Sequence, residues 1–82
     1  MNRNNLFKSL TDKSLAECYR DYIHNIKEKN FISDNDIMIN IYNQYKDNLE
    51  EKYVKVIMDS DLLHEIGFRW CNIVENDLIF KL

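Results

Sequence analysis

The chain has 82 residues, 45% of them hydrophobic, with five Tyr, four Phe and one Trp and a net charge of −3. Two separate cores would each be too small for buried apolar surface to offset conformational entropy, so one domain over residues 1–82 is expected. The composition excludes a disordered chain, and no apolar run exceeds three residues, far short of the roughly 20 needed to cross a bilayer.

The opening Met-Asn-Arg-Asn-Asn-Leu-Phe-Lys shows no apolar signal core with a small-residue cleavage site, so a cytoplasmic location is expected. In that compartment Cys18 and Cys71 are expected to be reduced, buried thiols rather than a disulfide. Charge is uneven. Residues 1–31 carry six bases and four acids, and residues 32–82 carry five bases and ten acids. Nucleic-acid binding draws most of its affinity from a dense Lys/Arg stripe, and none exists here.

Residues 1–10 carry no clear periodicity and are expected to be loosely ordered. A first helix is predicted over 11–29, because Leu15, Cys18, Tyr19, Tyr22, Ile23 and Ile26 recur on one stripe of a 3.6-residue period. Thr11 suits its N-cap, with Asp12 favourable in the first turn, Leu10 able to staple onto Leu15, and Asn30 suited to a left-handed stop. The same grammar follows with Ile32 before a Ser33 cap, Asp34 and Asp36 in the first turn, and Ile37 at the staple position. Ile37, Ile41, Tyr45 and Leu49, flanked by Met38 and Tyr42, carry this second helix to about residue 48 or 51. So short a connection makes the two helices a hairpin or a steeply crossed pair.

Beyond Glu51 the pattern becomes ambiguous. Residues 53–58 are rich in β-branched side chains and favour a strand, although Leu49, Tyr53, Val56 and Ile57 also extend a helical stripe. A short helix is predicted from a Ser60 cap to a Gly67 stop. Residues 68–74 and 78–82 are then expected to pair as a β-hairpin around Glu75-Asn76-Asp77. The expected fold is α+β, a helical hairpin followed by strand, short helix and β-hairpin. The alternative is an all-α bundle of three or four helices.

No motif for catalysis is present. Cys18, His24, His64 and Cys71 fall in no metal-ligand spacing, and Asp34-Asn35-Asp36 lacks the later ligands and glycine of a calcium loop. One glycine cannot build a phosphate-binding loop, Ser9, Ser14, Ser33 and Ser60 lie in no nucleophile elbow, and both thiols fall at expected core positions. The expectation is therefore no enzyme activity, no cofactor and no metal.

A binding surface is what the residues point to. Tyr42, Tyr45 and Tyr22 exceed what one narrow core stripe needs, and Tyr offers rigid amphipathic contact area. Asp34, Asp36, Asp47, Glu50 and Glu51 surround the second helix with negative charge, which suits a partner protein with a basic surface. A winged-helix DNA-binding regulator matches the outline of the elements. Its recognition segment 59–65 and wing turn 75–77 would however meet phosphate with the wrong sign. A self-associating structural module, a homodimer for example, is the third possibility.

The proline-free, Asn/Ile/Lys/Tyr-rich composition and the opening Met1-Asn2-Arg3-Asn4-Asn5 resemble the small accessory proteins of T-even-type and other AT-rich bacteriophages. The resemblance implies a regulator or inhibitor that binds and redirects another protein, in defence, transcription or lysis control. It carries no functional residues with it.

Overall fold

The computed structural model describes residues 5–29 and 33–81, the last five by backbone alone. These residues form a 3₁₀ turn, Leu6–Ser9, and the helices α1 (Asp12–Glu28), α2 (Asp36–Lys46) and α3 (Glu51–Lys81). No strand occurs among the described residues, so the fold is all-α and the α+β expectation is corrected to its helical-bundle alternative.

Local chemistry sets the helix ends. Thr11 caps α1 as expected, its hydroxyl accepting from the Ser14 backbone N–H at 3.1 Å. Lys29, one residue before the expected stop, takes the left-handed conformation with φ 56°. Asn30 and Ile32, assigned a stop and a staple above, lie outside the described residues. The cap of α2 is Asn35 rather than Ser33, because the Asn35 side chain accepts from Met38 N–H at 3.0 Å. Ser33 instead accepts from Asn35 N–H and donates to Asp21 of α1 at 2.6 Å, which pins the two helices together at this end. Only Leu15 and Cys18 of the proposed α1 stripe are buried, and Ile26 is exposed.

Residues 51–81, read above as strand, helix and hairpin, form one continuous helix. Burial explains why. Val54, Met58 and Leu62 enter the core while Val56 is 69% exposed. A strand would turn 54, 56 and 58 to the same side, whereas a helical period buries 54, 58 and 62 together. Gly67 sits inside the helix instead of ending it, with φ not in the positive range. The i,i+4 pair Glu65–Arg69 spans it, and Lys55–Asp59 supports the helix two turns earlier. The trio Glu75-Asn76-Asp77 contains no Gly or Pro to force a turn and continues the helix.

All of these elements meet in one core of Phe7, Leu15, Cys18, Met38, Ile41, Tyr45, Val54, Met58 and Leu62. Phe7 is fully buried, a contribution of about 2–3 kcal/mol for a side chain of its size, so residues 5–10 are fastened to the body rather than loose. Arg69 completes the fastening. Its guanidinium donates to Glu65 and Asp12 at 2.8 Å each, and to the backbone carbonyls of Phe7, Lys8 and Leu10 at 3.3, 3.3 and 2.8 Å. One side chain thus reaches three carbonyls in and just after the 3₁₀ turn and ties α3 to the start of α1.

Helix α3 would be about 46 Å long at 1.5 Å per residue, and it sets the 47 Å long dimension of the molecule. Past Arg69 it leaves the body behind: Trp70, Cys71, Asn72 and Ile73 are all exposed. Cys71 is therefore not the buried thiol expected of it, because the strand that was to bury it does not form.

Candidate functional site

The second helix divides its apolar side chains between two tasks. Met38, Ile41 and Tyr45, spaced three and four residues apart, face the core. Ile39 and Tyr42 fall at the edge of that stripe and remain partly open. This edge is one wall of a cleft of about 380 Å³ between α2 and α3, lined by Ser33, Met38, Ile39, Tyr42, Lys46, Glu51, Lys55 and Met58. The floor is apolar and soft, built by the two methionines, and the rim is charged. Lys55 donates to both carboxylate oxygens of Asp59, at 3.0 and 3.1 Å, and Lys46 lies 4.0 Å from Glu51.

Of the tyrosines expected at a binding surface, Tyr42 lines this cleft and Tyr22 lies beside it, half-buried, with the Lys55 ammonium 5.9 Å from its ring centre. Tyr45 does not belong to any surface. Only 3% of it is exposed, its hydroxyl donates to Asp61 at 2.6 Å, and it accepts from the Leu6 N–H at 3.3 Å. Tyr45 lies only three residues from Tyr42, yet at 100° per residue the two stand about 60° apart around the helix, which turns position 45 to the core and leaves 42 at its edge.

The acids separate into two groups. Asp34 and Asp36 lie exposed at the start of α2, and Asp47, Glu50 and Glu51 at its end, about 16 Å away along the helix axis. Lys46 and Lys52 partly neutralise the second group, Lys52 at 3.7 Å from Glu50. The negative face is thus narrower than a count along the sequence implies. Sequence reasoning missed Lys55 and Met58 as neighbours of Tyr42, since reading residues 53–58 as a strand removed the second wall; Ile39 and Lys46, three and four residues from Tyr42 on the same helix, were legible by spacing but were not singled out.

The remaining chemistry-bearing groups lie apart. Burial, with Asp21 and Glu17 nearby, pushes the Cys18 thiol up to about 11, which keeps it a neutral apolar group at physiological pH. His24 and His64 are exposed on α1 and α3. Among the described residues no group of three or more His, Cys, Asp or Glu is placed to hold a metal ion, and no helix is long and apolar enough to cross a membrane. Residues 59–65 and 75–77, the recognition segment and wing turn of the DNA-binding alternative, are stretches of the single helix α3, so neither unit exists.

Comparison with known protein families, curated proteins and solved structures finds no match. The reading of the surface rests on its own chemistry.

Proposed function

We propose that this chain is a non-enzymatic protein-binding regulator that docks its partner at the α2–α3 cleft, acting in the cytoplasm. The observation that carries this reading is the cleft itself: Tyr42 and Ile39 stand open beside a floor of Met38 and Met58, with charges confined to the rim. Protein interfaces favour this combination of aromatic and Met side chains inside a polar border. An apolar anchor residue of the partner would seat against Met38, Tyr42 and Met58. Basic groups flanking that anchor would meet Asp47, Glu50 and Glu51, raising the association rate at low salt.

The compositional style adds a context to the same proposal, a phage accessory protein that binds and inhibits or redirects a host or phage protein. Affinity purification of the intact chain from its native cell, with mass spectrometry, tests the reading. Tyr42→Ala and Ile39→Asp are expected to lose a partner that the unaltered chain retains, with binding weakened about tenfold or more. If both variants keep every partner, the cleft is not the docking site.

A further inference from the structure

We infer that the outward face of α3 pairs antiparallel with the same face of a second copy of this chain. Directly opposite the core-facing side chains of α3 lie Val56, Ser60, Leu63, Gly67, Trp70 and Val74. Their spacing alternates four and three residues throughout, which is the repeat of a two-helix coiled-coil seam, here about 27 Å long. Helices α1 and α2 and the 3₁₀ turn supply the core on the other side of α3, so the seam is open, with Val56 69% and Trp70 63% exposed.

Gly67 is the independent observation. A glycine in a helix interior costs about 1 kcal/mol relative to alanine. Nothing lies within 4 Å of where its Cβ would be, so no contact within the chain requires the missing methyl. A closely packed neighbouring helix does require it.

Side-chain sizes along the seam select the neighbour and its direction. Small residues, Ser60 and Gly67, occupy one position of the repeat, and large ones, Leu63 and Trp70, occupy the other. Antiparallel pairing sets each position against its opposite: Leu63 over Gly67 of the second copy, Trp70 over its Ser60, and Val56 beside its Val74. Every layer then holds a large residue with a small one, or two of middle size. Parallel pairing would stack Gly67 on Gly67 and Trp70 on Trp70, leaving a void and a clash in successive turns.

The antiparallel contact is self-complementary and closes with two copies. The exposed parts of the seam, with flanking Ile73 and Tyr53, offer roughly 500 Å² of apolar area per chain, most of the ~800 Å² per partner of a stable interface. The polar flanks add the rest. The α2–α3 cleft lies on another side of α3, so this pairing stands or falls independently of the proposed partner site.

Sedimentation equilibrium of the intact chain from micromolar to near-millimolar concentration tests the pairing. A reversible dimer is expected, and a monomer at every concentration overturns the inference. Trp70→Glu and Gly67→Leu each weaken the dimer about tenfold or more while circular dichroism shows the helical fold retained. Gly67→Leu is the sharper of the two, because it favours the helix within one chain and obstructs only the paired state. A dimer that survives both changes has its interface elsewhere, which also overturns the inference. Direction is read in a Cys71→Ser background with a short bis-maleimide. His64→Cys, near the two-fold axis, is expected to cross-link and Tyr53→Cys is not; the reverse pattern shows parallel pairing and rejects the arrangement.

Discussion

Tyr45 on α2 donates its hydroxyl proton to Asp61 on α3 across 2.6 Å in the interior of the bundle. The bond gives a partner to an acid that is only 7% exposed beside the core, and it links α2 to α3. Tyr45→Phe keeps the ring and removes the donor, and also deprives the Leu6 N–H of an acceptor. The expected loss is about 1–3 kcal/mol, seen as a lower urea midpoint at unchanged slope.

Arg69 is expected to be irreplaceable by lysine. Its fork reaches two carboxylates and three carbonyls at once, whereas an ammonium provides a single point of attachment. Its hydrogen bond to Glu65 raises the guanidinium pKa further, so the group stays charged at any accessible pH. Arg69→Lys and Arg69→Ala should each destabilise by about 2–4 kcal/mol. Hydrogen exchange should show residues 5–10 losing protection first, because the carbonyls of that turn lose their donor.

Gly67→Ala should stabilise a single chain by up to about 1 kcal/mol, since a helical Cβ there meets nothing within 4 Å. In dilute solution the melting temperature should rise by a few degrees, on the order of 4–8 °C per kcal/mol for a domain of this size. An unchanged or lower value would show that the glycine serves the folded chain itself.

The two thiols should differ sharply. Cys71 is exposed and should be alkylated in the native protein, and Cys18 only after unfolding. The Cys18 pKa is raised from 9.0 to about 11, so the folded state holds this proton more tightly than the unfolded one. Its contribution to stability is complete below pH 9 and disappears as pH rises towards 11. Across that window the stability difference between the native chain and Cys18→Ala should shrink by on the order of 2 kcal/mol in denaturant titrations. A difference independent of pH would rule this out.

The first two helices were legible because their signals are local. Thr11 caps the helix it precedes whatever lies elsewhere, and Ile37, Ile41 and Tyr45 mark a period that only a helix satisfies. Ser33 was assigned the wrong role because its hydroxyl is claimed by Asp21, twelve residues earlier, a contact with no signature along the chain. Tyr42 and Tyr45 looked equivalent in sequence, and only the packing of α3 separates the one in the cleft from the one in the core.

By itself, then, the sequence determined the start of each of the first two helices to within two residues. The tertiary structure decided the rest of the chain. Residues 53–58 favour β-structure by composition, yet they became helix because helical spacing brings Val54, Met58 and Leu62 together against Phe7, Ile41 and Tyr45. Intrinsic preferences differ by fractions of a kcal/mol per residue, while each of those burials contributes about 1.5–3 kcal/mol, so the common core overrides them. That same choice leaves Val56, Leu63 and Trp70 in one outward line around Gly67, a surface that does not exist until residues 51–81 are a single helix.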